Sequence, residues 1–355
     1  MLLDYLQYRP SIAASPDIAS TACAIGRTRG GAGLVLRDYA TLRADGESIS
    51  VGERCHFGER ATVHIADGKI PTVVGDDVTV ARYALVHACT LGRGVVVGEA
   101  ATVMDGATVG DHALIAAGAL VPPRKALAGG FVYAGNPASP LREIARDELE
   151  AIAAALRAGA HATLASAEAL PPLDMSPFVA DGAVRGSLYA RAGRGPSLGR
   201  AFVAPNAVLA GDVRIGDDAG VYFGCALDAG GARIVVGEAS NVQDNSILVT
   251  DAKRGDLVIG RRVTVGHNVR IGPARVDDDA LVGMASVVGD GVVVERGGCI
   301  GAGAHVEPGT VVRAGWIWAG RPARAFRELK DAEREWFAHG VGVYVGYARA
   351  YRAAL

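Results

Sequence analysis

The chain has 355 residues and a formal net charge of −2. Its length allows two domains with full hydrophobic cores, and its charge provides no basic surface for nucleic acid or an anionic membrane. No stretch is long and apolar enough to span a bilayer, and the first residues are not typical of a secretory signal. The five cysteines are scattered without metal-binding spacing, which is typical of reduced thiols, so we expect a cytoplasmic protein.

An aliphatic residue recurs every six positions in two long stretches of the chain. These positions are Val74, Val80, Val86, Leu91, Val97, Val103, Val109, Ile115 and Val121 in the first half, and Ile259, Val265, Ile271, Val276, Val282, Val288, Val294, Ile300 and Val306 in the second. One step in each stretch, at the same place, is five residues long. A six-residue period fits neither a helix nor an alternating strand, but it fits a triangular β-solenoid, in which each hexapeptide forms one side of a coil.

The second stretch repeats the first at a constant offset of 185 residues. Val78-Thr79-Val80 corresponds to Val263-Thr264-Val265, and Ala134-Gly135-Asn136-Pro137-Ala138 corresponds to Ala319-Gly320-Arg321-Pro322-Ala323, with no gap between these anchors. The chain therefore contains two copies of one domain. We predict domain boundaries at 1–172 and 173–355, because the proline-rich stretch Ala165 to Pro177 is typical of a junction.

Each array is followed by a proline and then by an amphipathic pattern. This pattern predicts one helix over Arg142 to Gly159 and another over Ala323 to Ala338, each covering a flank of its solenoid. The tail from Val341 to Leu355 carries three tyrosines at helical spacing and predicts a packed C-terminal helix. The expected fold is mainly β, with two tandem solenoid domains that are each followed by an α-helix.

Histidines occupy one member of each of three pairs of corresponding positions. The pairs are His64 and Val249, His87 and Gly272, and Arg82 and His267. Each copy alone is incomplete, but together they supply one histidine at each position. This matters because three neutral imidazoles and a water make a catalytic zinc site.

The hexapeptide array, the helix after each AGxPA turn and the histidine positions resemble the γ-class carbonic anhydrases and their relatives in the hexapeptide-repeat, or left-handed β-helix, superfamily. The resemblance covers nearly the whole chain as two tandem domains. It implies two left-handed parallel β-helices that associate as a trimer or a pair of trimeric rings, with metal at an interface between prisms.

The first copy retains part of that family's motif. Leu42-Arg43-Ala44-Asp45 matches an RGD-like element, while Thr62-Val63-His64 and Val86-His87 match the first and third ligands. His56-Phe57-Gly58-Glu59 stands where the family has NxQD, and Arg82 replaces the second ligand. A cation at Arg82 would repel a metal from the alternative site that this position would serve.

The second copy retains the complementary part. Asn241-Val242-Gln243-Asp244 keeps the NxQD element, and Val263-Thr264-Val265-Gly266-His267 keeps the second ligand. The RGD-like element has become Leu227-Asp228-Ala229-Gly230, and both other ligands are absent. In the family, one prism supplies the first and third ligands and its neighbour supplies the second. The resemblance therefore implies one composite site, made by a first-copy and a second-copy prism, either within a chain or between chains.

The composite site would use His64, His87 and His267 as ligands for zinc, or for iron or cobalt at the same nitrogens. The resemblance implies carbon dioxide, or another small electrophile, as the substrate. The family's glutamine near the metal corresponds to Gly58 at this site, whereas Gln243 lies beside Val249, so the resemblance does not place that glutamine at the composite site.

Other pocket or interface residues are implied less directly. In the family, the arginine of the RGD-like element pairs with the acid of NxQD across the interface. In this chain, the RGD-like element also includes Asp45. The family pairing implies that Arg43 meets Asp244, with Glu59 as a rival partner. We expect Tyr133, before the first AGxPA turn, and Asp67, after the first ligand, as catalytic candidates, with Asp67 a proton relay.

Two alternatives remain open, because a fold does not by itself decide function. One is acyl transfer or thioester hydrolysis on an acyl-CoA, with His87 or His305 as general base. No lysine-rich patch that would hold CoA phosphates is evident in the sequence. The other is a catalytically inactive assembly protein whose histidines are remnants.

Overall fold

The computed structural model describes residues 1–66, 68–160 and 187–355. The chain forms two compact units, Met1–Pro177 and Phe178–Leu355, which hold the first and second copies respectively. The domain boundary that we predicted after residue 172 lies outside the described residues, so it stays a prediction. Asp67 also lies outside them.

The first unit consists of short strands followed by a helix. Its elements are β1 (Leu2–Leu3), β2 (Ser11–Ile12), β3 (Asp17–Ile18), β4 (Cys23–Gly30), β5 (Val35–Leu36), β6 (Thr41–Val51), β7 (His56–Phe57), β8 (Thr62–His64), β9 (Thr72–Val74), β10 (Thr79–Val80), β11 (Leu85–His87), β12 (Thr90–Leu91), β13 (Val96–Val97), β14 (Thr102–Val103), β15 (Thr108–Val109), β16 (Leu114–Ile115), β17 (Leu120–Val121), β18 (Ala126–Leu127), β19 (Phe131–Ala134), β20 (Ser139–Glu143) and α1 (Arg146–Arg157).

The second unit repeats this order. Its elements are β21 (Ser187–Tyr189), β22 (Ser197–Leu198), β23 (Phe202–Val203), β24 (Val208–Ile215), β25 (Gly220–Val221), β26 (Ala226–Val236), β27 (Asn241–Val242), β28 (Ile247–Val249), β29 (Leu257–Ile259), β30 (Thr264–Val265), β31 (Arg270–Ile271), β32 (Ala274–Val276), β33 (Leu281–Val282), β34 (Val287–Val288), β35 (Val292–Val294), β36 (Cys299–Ile300), β37 (His305–Val306), β38 (Val311–Val312), β39 (Trp316–Gly320), β40 (Ala323–Glu328) and α2 (Asp331–Ala354).

The strands of the first unit stack in parallel and form three faces. Strand β6 turns a corner: Thr41–Leu42 pairs with β8 on one face, and Ile49–Val51 pairs with β9 on the next. A separate sheet with the order β20-β19-β16-β13-β10-β7-β5-β3 makes the third face. In the second unit, β26 divides two faces in the same way and the sheet from β23 to β40 makes the third. Both units are therefore parallel β-solenoids, as predicted.

The predicted aliphatic ladder forms the core of each solenoid. All eighteen ladder side chains are at most 3% exposed. Successive coils place them in register, as in the column in which Val80 pairs with Val97 and Val97 pairs with Ile115. Fully burying one such side chain stabilises a fold by about 1.5–3 kcal/mol. The ladder side chains that the hexapeptide period places on the axis are therefore the main source of stability.

The five-residue step has a local structural cause that positions the candidate site. At an ordinary corner, four residues separate the strands, and the second of the two turn residues in the middle has positive φ, as at Tyr83 with φ of 58°. After Val86, the strand instead continues to His87, and the chain turns at Ala88 with φ of 46°. The shortened corner places His87 directly above His64, with which it is in register.

The two flanking helices begin later than the sequence predicted. Residues 142–143 and 323–328 belong to strands β20 and β40, which pair antiparallel with β19 and β39. These hairpins cover the edge strand that a solenoid would otherwise leave unpaired. The helices then start at the corresponding residues Arg146 and Asp331.

Helix α2 is continuous to Ala354, whereas the sequence suggested two segments. It passes through three glycines, each of which costs about 1 kcal/mol relative to alanine in a helix. Aromatic packing on the third face offsets this cost: Tyr351 is buried and stacks on Phe202 with ring centroids 5.0 Å apart. Tyr222 also donates a hydrogen bond of 2.7 Å to the carbonyl of Tyr344. Among the described residues, no helix is both long and apolar enough to cross a membrane.

Candidate metal centre

Two of the predicted ligands lie together in the first unit. His64 and His87 end strands β8 and β11 at the same corner of adjacent coils, and both side chains are buried. The Nδ1 atom of His64 lies 3.2 Å from the Nε2 atom of His87. The ring centroids are 5.2 Å apart and the ring planes are tilted by 45°.

This separation fits two ligands of one tetrahedral ion. Zinc–nitrogen bonds of about 2.0–2.1 Å at a tetrahedral angle place two ligand nitrogens about 3.3 Å apart. The distance between these two nitrogens is therefore compatible with both binding one ion. The same spacing also permits a hydrogen bond between the rings when one is the donor tautomer.

Each of these imidazoles has a carboxylate at its other nitrogen. His64 Nε2 lies 3.3 Å from Asp45 Oδ1, and His87 Nδ1 lies 2.7 Å from Asp105 Oδ1. Carboxylates in this position orient metal-binding histidines and select the tautomer that leaves the opposite nitrogen available. Arg43 forms an ion pair with Asp45, and both side chains are fully buried. The arginine thus compensates a carboxylate that would be unfavourable alone in the interior.

The backbone around His64 is fixed by local contacts. The hydroxyl of Thr72 donates a hydrogen bond to the His64 carbonyl, and an antiparallel bridge between Ala66 and Ile70 closes the following loop. Cys89 lies two residues beyond His87, and burial raises the pKa of its thiol far above the ordinary value. We therefore expect Cys89 to remain a protonated core residue and not to act as a nucleophile.

The corresponding corner of the second unit is built differently. Asp290, the counterpart of Asp105, accepts two hydrogen bonds from Arg254, at 2.6 and 2.8 Å. A Cβ atom added at Gly272 would lie 2.2 Å from Asp290 Oδ1. The carboxylate that supports His87 in one copy is thus engaged by an arginine in the other, and a side chain at the third ligand position would displace Asp290 or Arg254.

The third predicted ligand has its own carboxylate within the second unit. His267 is buried just after β30, and its Nδ1 lies 3.0 Å from Asp244 Oδ2. The other carboxylate oxygen accepts a hydrogen bond of 3.0 Å from the amide of Phe223. At the opposite side of the ring, Nε2 lies 3.4 Å from the hydroxyl of Tyr344 on α2. The carboxylate at Nδ1 leaves Nε2 as the atom for binding a metal.

Other predicted pocket residues have partners within their own units. Gln243 donates a hydrogen bond of 3.0 Å to Asn241, which in turn donates one of 3.1 Å to Thr264. Arg82 forms an ion pair of 2.9 Å with Glu99. The charge of Arg82 is therefore compensated on its own solenoid.

The catalytic candidates were only partly located. Tyr133 is buried in strand β19 of the third face, and its hydroxyl donates a hydrogen bond of 3.0 Å to the Ala128 carbonyl. It lies in a different sheet from His64 and His87. Asp67 is outside the described residues. Catalytic roles for Tyr133 and Asp67 stay predictions.

Two residues near the histidines were not singled out from the sequence. Asp105 stands eighteen residues after His87, which is one coil further along the same face, so the repeat spacing could have identified it. Tyr344 was assigned only a packing role. Its closeness to His267 depends on where α2 packs on its solenoid, and the periodicity of the sequence does not predict that position.

Parallel coils built from hexapeptides, with a buried pair of histidines at one corner, define a left-handed β-helix protein of the hexapeptide-repeat class. No family model matches the chain. It is 37% identical over 158 residues to gamma carbonic anhydrase 1, mitochondrial, of Arabidopsis thaliana. The matched region covers 43% of this chain and 58% of that protein. It is 36% identical over 138 residues to the carnitine operon protein CaiE of Escherichia coli K12, which covers 38% of this chain and 69% of that protein.

The chain belongs to the γ-carbonic-anhydrase-like hexapeptide-repeat proteins. It spans somewhat more than half the length of the mitochondrial relatives that it matches. A putative acetyltransferase from Desulfovibrio desulfuricans G20 matches 99% of this chain and 82% of its own, with a TM-score of 0.53 and 15% identity. That likeness shows the fold alone, which agrees with the fold predicted from the sequence.

Proposed function

We propose that the chain is a γ-carbonic-anhydrase-like metalloprotein in which His64, His87 and His267 bind one metal ion. The site would form where a first-copy domain meets a second-copy domain, of the same chain or of another. The observation that carries this proposal is the 3.2 Å separation between His64 Nδ1 and His87 Nε2, with a carboxylate at the opposite nitrogen of each ring. An isolated structural histidine does not require this arrangement.

The surroundings of His267 support its role as the third ligand. Like the other two, it is buried and has an aspartate at one ring nitrogen. Three neutral imidazoles suit zinc, with iron or cobalt as alternatives at the same nitrogens. When bound, such an ion lowers the pKa of a coordinated water to about 7, which suits the hydration of carbon dioxide or another small electrophile.

The chain's own residues would prepare this chemistry. Asp45, Asp105 and Asp244 hold the three imidazoles in the tautomers that expose the ligand nitrogens. The hydroxyl of Tyr344, close to His267 Nε2, supplies a polar group that could orient a small substrate or carry a proton. In the same proposal, the protein assembles as a trimer or as a pair of trimeric rings. All five cysteines are free and buried, which suits a reducing cytoplasm.

The test is the metal content of anaerobically purified full-length protein, wild type beside His267→Ala. We expect about one zinc or iron per chain in the wild type, and loss of that metal in the variant because two imidazoles bind an ion far more weakly than three. His305→Ala is the matched control, since His305 also lies on a solenoid strand of the second unit but belongs to no predicted ligand set. It should retain the metal.

Carbon dioxide hydration by the metal-loaded protein is then measured by stopped flow. Metal that is present in both the wild type and His267→Ala would reject the composite site. Metal-free protein that binds CoA in a calorimetric titration would favour the acyl-transfer alternative, and metal-free protein without CoA binding would favour an inactive assembly protein.

A further inference from the structure

The second unit contains a pocket that the proposed metal site does not use. It lies between the third face of the solenoid and the first turns of α2, and its volume is about 440 Å³. Its apolar lining includes Ala280, Leu281, Leu329, Phe337 and Val341. This volume is within the range of about 300–1,000 Å³ that is typical of small-molecule sites.

Three arginines and an aspartate are at the polar side of this pocket. Asp279 accepts two hydrogen bonds from Arg262, at 2.7 and 3.1 Å, and two from Arg296, at 3.0 and 2.9 Å. One carboxylate is therefore shared by two guanidinium groups. The third, Arg334, is 3.7 Å from Asp331, whose side chain is 99% exposed, so solvent screens that pair strongly. The lining has an excess of positive charge.

The equivalent place in the first unit is lined by aliphatic side chains. Leu149, Ile152 and Leu156 of α1 occupy the positions of Arg334, Phe337 and Val341, and they pack with Val96 and Ile144 in a hydrophobic cluster. Leu149 is buried where Arg334 is exposed. The same helix position therefore carries a packed leucine in the first copy and an exposed arginine at the pocket in the second.

The charges at the pocket also differ between the copies. Asp77, Gly94 and Asp111 stand where the second copy has Arg262, Asp279 and Arg296. The three positions are acidic or neutral in the first copy, whereas in the second they carry two arginines and the aspartate that joins them. The charged lining of the pocket is thus a feature of the second copy and not a general consequence of docking a helix on a solenoid.

Arg334 lies beside a glycine that both copies share, Gly315 here and Gly130 in the first copy. A Cβ atom at Gly315 would lie 3.1 and 3.2 Å from the terminal nitrogens of Arg334. Gly315 has φ of 71°, a conformation that favours glycine. The guanidinium therefore lies against the backbone at the edge of the pocket, where its Nη2 also donates a hydrogen bond of 3.3 Å to the Leu329 carbonyl.

We propose that this pocket binds a small organic anion with a carboxylate or phosphate head and a short apolar chain. The planar guanidinium of Arg334 suits bidentate binding of either head, and Phe337, Val341 and Leu281 would cover the chain. The inference stands apart from the metal site, because none of the three histidines lines the pocket.

The experiment is calorimetric titration of the full chain with two probes, octanoate and hexyl phosphate, whose comparison identifies the preferred head. Inorganic phosphate supplies the head alone and hexanol the chain alone. We expect at least one amphiphilic probe to bind about tenfold or more tightly than either fragment, since charged hydrogen bonds and apolar burial both contribute.

The decisive variant is Arg334→Leu, which places the residue of the first copy in the second. It should weaken binding of the preferred probe about tenfold or more while circular dichroism remains unchanged. Arg349→Leu is the matched control, because Arg349 is an exposed arginine of the same helix that also pairs with an aspartate, and it should bind like the wild type.

If Arg334→Leu does not fold, Arg296→Asp replaces it. This variant introduces the residue of the first copy at a well-exposed position and should weaken binding by a similar factor. Equal affinity in the wild type and the folded variant would overturn the proposal, as would a wild type that binds neither amphiphilic probe.

Discussion

The two solenoids use the same backbone plan but differ in the side chains that face outward. Strand β6 at Thr41–Val51 corresponds residue for residue to β26 at Ala226–Val236, and the flanking helices begin at corresponding positions. The residues that point to the axis remain aliphatic in both copies. A stacked repeat constrains its axis at every coil, whereas its outer faces can change one position at a time.

The histidine corner shows what such a change involves. In the first unit, Asp105 supports His87; in the second, Asp290 is bound by Arg254 and faces a glycine. The carboxylate is present in both copies, but its partner is a histidine in the first and an arginine in the second.

The largest effects should come from the axial ladder that the copies share. Ile115→Ala and Ile300→Ala each remove a side chain from a fully buried position, and each should lower the free energy of unfolding by about 2–5 kcal/mol. Urea unfolding followed by circular dichroism measures this. Similar losses in both variants would confirm that the two cores depend on the ladder to the same extent.

The control for the ladder is Val73→Ala, at a strand position that faces outward and is 41% exposed. This variant should cost less than about 1 kcal/mol, because surface substitutions usually have small effects. A loss at Val73 equal to that at Ile115 would contradict the account of the axial ladder as the main source of stability.

A second difference between the copies predicts a pH effect of intermediate size. His56 is only 6% exposed, and among the described residues neither ring nitrogen has a hydrogen-bond partner. Burial, assisted by Arg37 and Arg157, lowers the pKa of His56 to about 4. Its counterpart Asn241 is hydrogen-bonded and does not titrate.

Because the pKa of a histidine in an unfolded chain is about 6.5, the unfolded state takes up the proton first as the pH falls. Above pH 6.5, His56 is neutral in both states and does not change the free energy of unfolding. Below that pH, the free energy of unfolding should decrease by up to about 3 kcal/mol towards pH 4. The variant His56→Asn should lack this part of the decrease. Urea unfolding at neutral and acidic pH measures it, with Val73→Ala, which changes no titratable group, as the control that should keep the wild-type slope. An unchanged slope in His56→Asn would disprove the prediction.

The sequence was sufficient to predict the repeated coils and insufficient to predict how the helices pack against them. The ladder follows from the hexapeptide spacing and the duplication from the constant offset of 185 residues, whereas the pairing of His64 with His87 on one solenoid was implied by the family resemblance. Residues 142–143 and 323–328 were wrongly predicted as the starts of the two helices, because their composition is compatible with both helix and strand and the choice depends on the open edge of the sheet. The contact of Tyr344 with His267 and the pocket beside Arg334 both depend on where a helix lies, which amphipathic periodicity does not specify.

The smallest expected effect concerns the support of a ligand and not the ligand itself. Asp105→Asn removes the carboxylate charge beside His87 Nδ1 while keeping nearly the same shape. An amide can also present its NH₂ group to that nitrogen and so favour the wrong tautomer. If the metal site forms as proposed, its affinity should fall about 10–100-fold, as is typical when the partner of a ligand histidine is changed.

Asp290→Asn is the corresponding change in the other copy, where the acid is bound to Arg254. It should leave metal affinity unchanged and lower the free energy of unfolding by less than about 1 kcal/mol, because it weakens a surface ion pair. Competition with a chelator of known affinity measures both variants. Equal losses of affinity would show a general effect on the fold, whereas a loss confined to Asp105→Asn would show that the two carboxylates have separated in function while keeping their place in the repeat.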